Sequence, residues 1–297
     1  MPSIACNKLT RANIEKLLSP TVFISNEEEV VEVENTTSAN DIQLYIELSK
    51  RQDCTGRVDG VSYSEFMEIL GCSKATFYNS LYRLEKLEYI AAESDRKGYW
   101  TVTILNNVFL KKEDLKQSYM RTNVDFLYSD DFKKMSWVEK KICLYLHLNK
   151  NPREKLERYI TTLTKSVGLK VVSVVQAALE KVSKFFPHTI VQGEQGKKIV
   201  FGNSNIAKNE ETEASNYISH KLKHLCNFFK IKHTDEDVKS VATLSGQYCR
   251  DIAFDKFMTI VQRVIYKETV DKSLNPKYVN NLCKLYVDGR KKRKHDK

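Results

Sequence analysis

The segment from Ser73 to Leu87 carries the side chains with the clearest chemistry. Its apolar residues recur at a helical period, which predicts a helix with one buried face: Phe77, Leu81, Leu84 and Leu87. Its other side chains include hydrogen-bond donors and acceptors: Ser73, Lys74, Thr76, Tyr78, Asn79, Tyr82 and Arg83. A helix fits the major groove of duplex DNA, about 12 Å wide, where such side chains reach base edges and phosphates. The pattern predicts a helix that contacts DNA.

The residues before this helix predict the elements that support it. A helix is expected over residues 42–48, followed by a loop with Gly56 and Gly60. Ser62 stands three residues before Glu65, a capping-box spacing that predicts the start of a second helix. These two helices would form the scaffold on which the DNA-contacting helix packs.

A β-hairpin is expected directly after the DNA-contacting helix. Tyr89–Ala92 and Tyr99–Ile104 read as strands, and the polar turn between them carries Arg96 and Lys97 at its tip. Two helices, a short turn at Gly71, a third helix and a hairpin are the elements of a winged helix. In that fold the basic tip would lie along the DNA backbone or in the minor groove.

The run Leu70–Phe77 (LGCSKATF), together with Leu81, Leu84–Leu87 and Tyr89-Ile90, resembles bacterial winged helix-turn-helix DNA-binding proteins. The resemblance covers about a quarter of the chain and implies a winged-helix domain over residues 39–110 that binds double-stranded DNA. Because a fold alone does not fix a function, a winged helix that contacts proteins instead of DNA is the alternative.

A second copy of the pattern occurs at a spacing of about 97 residues, measured from Gly71 to Gly168. Ser136 is expected to cap a first helix, and a third helix is expected over residues 171–186. Gly193-Glu194-Gln195-Gly196 predicts the turn of a closing hairpin. The pattern predicts a second winged helix.

This second winged-helix domain, expected over residues 130–203, presents different outward side chains. Val172 offers no hydrogen bond to a base, so the domain would read bases weakly, contact mainly phosphate, or serve dimerisation. The side chains of its third helix and hairpin that suit DNA contact are Lys170, Ser173, Gln176, Lys197 and Lys198.

The two ends of the chain are expected to be simpler. Residues 1–38 would comprise a short N-terminal helix and an acidic linker, with residues 19–38 as the connector. Residues 212–297 are poor in glycine and show helical patterns, which predicts an all-helical C-terminal domain. The basic end either contacts phosphates or is a solvated tail: Arg290, Lys291, Lys292 and Arg293.

The run Asn275–Leu282 (NPKYVNNL), close to this basic end, resembles helical domains of DnaD-like primosomal proteins and of plasmid or phage replication initiators. Initiators of one broad plasmid family also use two tandem winged helices. The resemblance implies an origin-binding protein whose C-terminal helices recruit a replication protein or a second copy of the chain.

Composition and charge favour an anionic partner. The 297 residues carry a formal net charge of +10, and the sequence pI is about 9.1. We expect no signal peptide, and no apolar run approaches the ~18 residues of a membrane helix. Seven scattered cysteines without a Cys-x-x-Cys pair indicate reduced thiols. We expect a soluble, cytoplasmic protein without a membrane partner.

Motifs for catalysis and for cofactor binding are absent from the sequence. It contains no Walker-type loop, no dinucleotide-binding glycine loop and no His-Glu-x-x-His. His220 and His224 share a helix face, near Cys226 and His233, but without a supporting carboxylate pair or Cys-x-x-Cys a surface histidine pair is favoured over a metal site. We expect no enzymatic activity, no cofactor and no metal.

The expected fold class is mainly α with small β-hairpin wings (α+β), as two tandem winged-helix units followed by an all-helical C-terminal domain. The leading hypothesis for the function is a sequence-specific double-stranded DNA-binding protein, a replication initiator or origin-binding protein of a plasmid or phage. A transcriptional regulator or a DNA-segregation adaptor would use the same site physics. A winged-helix protein-interaction scaffold is the hypothesis from another class.

Overall fold

The computed structural model describes residues 6–26, 29–96, 98–110, 114, 118–150, 154–204, 206, 213–248, 251–267 and 273–295. Among the described residues, helices account for 54% and strands for 22%, and the strands form small sheets, so the predicted α+β class is confirmed. The chain divides into two compact units, Met1–Glu210 and Glu211–Lys297.

The N-terminal segment is part of the core of the first unit. Strand β1 (Lys8–Thr10) leads into helix α1 (Arg11–Leu18), whose Ile14 and Leu17 are fully buried. The side chain of Asn35 donates hydrogen bonds to the carbonyl oxygens of Lys16 and Ser19, at 3.1 and 2.8 Å. These bonds satisfy backbone acceptors that the end of α1 leaves open.

Residues 19–38 contain a β-hairpin, so the prediction of a connector is wrong. Strands β2 (Thr21–Asn26) and β3 (Glu29–Glu34) pair antiparallel, with Val22 opposite Val33 and Ile24 opposite Val31. Directly paired residues share a face of a sheet, and Val22, Ile24 and Val33 pack against the core. Glu32 and Glu34 alternate with Val33 on β3, but Val30 and Val31 are adjacent, so the sequence of this strand lacks a strict two-residue period.

The first block, Ala39–Ile104, consists of three helices and a three-stranded antiparallel sheet with the order β4-β6-β5. Strand β4 lies where a loop was predicted, because Val58 and Val61 contribute to the core while Gly60 takes a positive φ. The elements are α2 (Ala39–Ser49), β4 (Arg57–Ser62), α3 (Tyr63–Leu70), α4 (Lys74–Lys86), β5 (Ile90–Arg96) and β6 (Tyr99–Ile104).

The described residues that follow form three short elements: β7 (Tyr119–Arg121), which pairs with β1, α5 (Asp125–Tyr128) and α6 (Asp130–Lys134). The second block, Trp137–Phe201, then repeats the element order of the first, with the strand order β8-β10-β9. Its elements are α7 (Trp137–Asn149), β8 (Leu156–Tyr159), α8 (Ile160–Ser166), α9 (Val172–Val182), β9 (His188–Gly193) and β10 (Gly196–Phe201).

One hydrophobic core runs through both blocks. Helices α1 and α2 both pack against α7, and buried side chains such as Leu44 of the first block and Ile142 of the second belong to the same cluster. The third helix of the second block is shorter than predicted, since α9 ends at Val182 and residues 183–185 form a turn. The two blocks are therefore packed together as one body.

The C-terminal unit is helical, as predicted. Its described residues form α10 (Glu213–Phe228), α11 (Asp235–Tyr248), α12 (Phe254–Lys267) and α13 (Pro276–His295), with one isolated bridge between Lys232 and Ser273. Its core consists of apolar residues at helical spacing, including Leu222, Val241, Val261 and Val279.

Candidate nucleic-acid interface

Corresponding elements of the two blocks begin about 98 residues apart, and both sheets have the order first strand, third strand, second strand. The turn between the second and third helices contains a left-handed glycine in each block, Gly71 with φ 61° and Gly168 with φ 70°. Left-handed backbone favours glycine, which lacks a Cβ. The spacing predicted from these two glycines reflects a repeated structural position.

Each block ties its third helix to its first through the carboxylate of a capping box. In the first block Asp41 accepts a hydrogen bond from the Ser38 backbone N–H, and Arg83 Nη1 lies 2.8 Å from Asp41 Oδ2. Asp41 is fully buried. The predicted DNA-contacting role of Arg83 therefore competes with a structural one, because this guanidinium neutralises a buried carboxylate.

The second block repeats this arrangement with other residue types. Glu139 forms a capping box with Ser136, confirming the predicted cap, and Lys181 Nζ of α9 lies 2.9 Å from Glu139 Oε1. In each block the pair joins the third residue of the first helix to a cation of the third helix, and the two cations occupy corresponding positions. Sequence reasoning missed them, although Ser38 and Ser136 occur at the repeat spacing.

The start of α4 is held by Ser73, as predicted. Its Oγ accepts a hydrogen bond from the Thr76 backbone N–H at 3.2 Å and lies 2.9 Å from Thr76 Oγ1. Ser73 thus serves first as the N-cap of the helix, and Thr76 is the residue that it caps. The hydroxyls of both residues lie at the solvent-exposed N-terminal end of α4.

The exposed face of α4 combines polar, basic and aromatic side chains. Lys74 and Asn79 are exposed, and Tyr82 is 66% exposed. Lys86 is exposed one turn beyond Tyr82 and was absent from the predicted set, although its spacing of four from Tyr82 places it on the same face. Of the seven predicted side chains on α4 and its cap, Lys74, Asn79 and Tyr82 fit the predicted outward position best.

Tyr78 connects α4 to the hairpin. It is half-buried, and its ring centroid lies 5.3 Å from that of Trp100 on β6 and 6.2 Å from that of Tyr63 on α3. The Lys74 ammonium lies 4.5 Å from the Tyr63 ring centroid. The edge-to-face packing of Tyr78 on Trp100 orients α4 against the wing strands, so Tyr78 acts as an anchor.

The tip of the hairpin has an irregular register. The pairing of β5 with β6 shifts between Ser94 and Arg96, and Gly98 takes a φ of 93°. The backbone of Arg96 pairs with Tyr99. The side chain of Arg96 and the whole of Lys97, both predicted at the wing tip, lie outside the described residues.

The outer face of α9 in the second block is less polar than that of α4. Val174, 43% exposed, occupies the position of Thr76, and the exposed Ala177 occupies that of Asn79. Glu180 stands where the first block has Tyr82. Ser173 is exposed and Gln176 is half-buried, so two of the predicted contacts are retained on a face otherwise poor in hydrogen-bond donors.

The lysines of the second block differ in their ion pairing. Lys170 and Lys197 are exposed. Lys198 forms an ion pair with Glu157 on β8, and Lys184 forms one with Asp131. Of the predicted lysines in this block, Lys198 therefore already has an anionic partner within the chain.

A buried polar network joins the two blocks. Lys140 Nζ on α7 donates to Gln43 Oε1 on α2 at 3.0 Å, and Gln43 Nε2 donates to Glu47 Oε1 at 3.1 Å. Lys50 Nζ donates to the same oxygen at 2.8 Å. Burial opposes ionisation of Glu47, but the charges of Lys50 and Arg51 lower its pKa to about 2.

Two adjacent lysines of α7, Lys140 and Lys141, are almost fully buried. Burial lowers the pKa of Lys140 to about 8, although Glu47 opposes the shift, and burial also lowers the pKa of Lys141 to about 8. Lys141 Nζ donates to the Leu18 carbonyl oxygen at 3.1 Å and lies 4.1 Å from the Trp137 ring centroid. Lys140 thus adds a polar contact between the blocks, and Lys141 joins the second block to α1.

The remaining predicted sites lie in the C-terminal unit. The backbone of residues 290–293 belongs to α13, but the side chains of Arg290, Lys291, Lys292 and Arg293 lie outside the described residues. His220, on α10, is 2% exposed rather than a surface residue, because its helix face packs inward. In the described part of the chain, no three His, Cys, Asp or Glu side chains are grouped as metal ligands.

Within the described residues, none of the helices has the length and apolarity to cross a bilayer. Comparison of the sequence with protein-family models finds no match, and comparison with curated proteins finds no matching relative.

Proposed function

We propose that this chain is a sequence-specific double-stranded DNA-binding protein built on two tandem winged-helix units, the first and second blocks. The repeated order of helices and strands, the left-handed glycine before each third helix and the closing hairpins support this assignment. The helix that enters the major groove is α4, and the β5–β6 hairpin is its wing.

The observation that carries the proposal is the contrast between α4 and α9 at corresponding positions. On the same scaffold, α4 exposes Asn79 and Tyr82 where α9 exposes Ala177 and Glu180. Asparagine can form a bidentate contact with adenine, whereas alanine forms no hydrogen bond and a glutamate is repelled by phosphate. Base reading is therefore assigned to the first block.

The second block contributes mainly phosphate contacts. Lys170 precedes α9 and Lys197 lies on the hairpin strand β10, and both side chains are exposed. Because the buried Lys140–Gln43 bond and the continuous core join the blocks, these lysines would act from a fixed distance to α4. A rigid pair of units favours one spacing of contacts along the duplex.

The biological role we propose is that of a non-enzymatic replication initiator or origin-binding protein of a plasmid or phage. Two DNA-binding units in one chain suit repeated sites, and the helical C-terminal unit would bind a replication protein or a second copy of the chain. Transcriptional regulation and DNA segregation remain the alternatives within the same class of DNA-binding protein.

Binding to DNA from the protein's own upstream region tests the proposal. The expected result is binding at least about 10³-fold tighter than to a scrambled duplex at physiological salt. Asn79→Ala should remove most of that gap, and Gln176→Ala, which removes a polar side chain of α9, should leave most of it. Equal binding to both duplexes, fading steeply with salt, would contradict sequence-specific recognition.

A protein contact by the second block is the second candidate function. Val171 and Val174 expose 53% and 43% of their surface beside α9, which favours an apolar partner over a base edge. Val174→Lys should weaken self-association in sedimentation if this face binds a second copy. An unchanged sedimentation profile over the full concentration range would exclude that contact.

A further inference from the structure

The C-terminal unit carries a row of aromatic rings on its surface. The ring centroids of Phe228 and Phe229, at the end of α10, are 4.8 Å apart, and Phe229 lies 4.4 Å from Tyr266 in the last turn of α12. Tyr266 is 61% exposed and Phe228 is 39% exposed. These rings touch one another while a large part of their surface faces solvent.

The end of α10 explains why the row is at the surface. Lys230 takes a left-handed backbone with φ 56°, and the Ile231 N–H donates to the Cys226 carbonyl at 2.8 Å. This closing turn buries Ile231, which is 7% exposed, and leaves Phe228 and Lys230 outward. The aromatic row is therefore separate from the buried core of the unit.

The two segments of the chain that carry the rings are basic. Residues 224–234 and 259–267 contain no aspartate or glutamate. Their charged residues are Lys230, Lys232, Arg263 and Lys267. The side chains of Lys230, Lys232 and Arg263 are exposed. Flat apolar rings beside cations match a ligand that combines flat rings with anionic groups.

We propose that Phe228, Phe229 and Tyr266 form a stacking platform for unpaired bases of a single nucleic-acid strand, with Lys230, Lys232 and Arg263 contacting its phosphates. Bases stack on aromatic side chains whatever their sequence, and a basic rim follows the backbone. A duplex keeps its bases stacked on one another, so the platform selects an unpaired strand. This activity is additional to duplex binding by α4.

The test uses the full chain and fluorescein-labelled oligo-dT in anisotropy titrations over a salt series, with oligo-rU in parallel to distinguish DNA from RNA. Tyr266→Ala should raise the Kd for a single strand about fivefold or more, and Tyr266→Trp should restore or tighten binding. Leu285→Ala is the matched control, since Leu285 is a 66% exposed apolar side chain elsewhere in the same unit, and it should leave the Kd unchanged.

Phe228→Ala gives an independent second variant with the same expected direction, checked for folding by circular dichroism. Asn79→Ala should leave oligo-dT binding intact, so failure of the duplex-binding proposal is distinguishable from failure of this one. The platform is refuted if Tyr266→Ala and Phe228→Ala bind both single strands as the unaltered chain does. It is also refuted if Tyr266→Ala alters only self-association, since the row would then be a protein contact.

Discussion

The first and second blocks share a scaffold and differ at its surface. Both have the same element order, and both pair the capping-box carboxylate of the first helix with a cation of the third, Arg83 with Asp41 and Lys181 with Glu139. The outer faces of α4 and α9 carry different residue types at corresponding positions. We expect the internal pair to orient the third helix in each block and the outer residues to decide what that helix can bind.

The largest expected difference between the blocks concerns their turn glycines. A Cβ on Gly168 would lie 2.3 Å from the Leu18 carbonyl oxygen, whereas a Cβ on Gly71 would have no neighbour within 4 Å. Gly168→Ala should lower the free energy of unfolding by about 3 kcal/mol, from left-handed strain and overpacking. Gly71→Ala should cost about 1 kcal/mol, from strain alone. Equal losses in urea unfolding would contradict the close approach of α1 to this turn.

Removal of the internal cation should destabilise the first block more than the second. Arg83→Ala leaves a fully buried Asp41 without its guanidinium, and we expect a loss of about 2 kcal/mol in the free energy of unfolding. Lys181 is 70% exposed, so Lys181→Ala should cost less than about 1 kcal/mol. Lys86→Ala serves as the control for loss of a surface charge on α4. If Arg83→Ala resembled that control, the pair would not position the helix.

The pH dependence of stability should report the burial of Lys141 on α7. Lys141 has a pKa of about 8 in the folded chain and an ordinary pKa of 10.5, so the unfolded state binds more protons between these values. The stability contributed by Lys141 should thus rise with pH across that window, by about 2 kcal/mol from pH 8 to pH 10.

Lys141→Met should lose this rise, and Lys86→Met should keep it. The measurement is the difference in urea-derived unfolding free energy between each variant and the unaltered chain at pH 8, 9 and 10. Ionisation of the buried thiols affects all three proteins alike and cancels in that difference. A constant difference for Lys141→Met would mean that Lys141 is not buried at the junction with α1.

The smallest expected effect concerns salt. Lys170 is exposed, whereas Lys198 is paired with Glu157, so Lys170→Ala should reduce the slope of log binding constant against log salt by about one. Lys198→Ala should change the slope less. The slopes come from titrations of one duplex at four or more salt concentrations. A larger change for Lys198→Ala would reverse the assignment of phosphate contacts in the second block.

Local patterns in the sequence predicted the local structure well. The spacing of Phe77, Leu81 and Leu84 predicted α4, and the two glycines at Gly193 and Gly196 predicted the β9–β10 hairpin. The capping residues Ser73 and Ser136 were also predicted correctly. In each case the information lies within a few residues of the feature.

Long-range pairing explains what the sequence did not predict. Arg83 meets Asp41 from 42 positions away, and Lys140 meets Gln43 from 97 positions away. The sequence predicted an outward Arg83 because its partner lies too far along the chain for a local pattern to reveal it. The β2–β3 hairpin was missed for a related reason, since its apolar face is defined by the core that it covers.

The contrast between Tyr82 and Glu180 tests the central claim most directly. The measurement is the Kd of Tyr82→Ala and Glu180→Ala for the same specific duplex at physiological salt, with both variants checked for unchanged unfolding. If α4 enters the DNA and α9 does not read bases, Tyr82→Ala should weaken binding about tenfold, and Glu180→Ala should leave it unchanged or tighten it slightly. Loss of binding in Glu180→Ala with none in Tyr82→Ala would contradict the assignment of the reading helix to the first block.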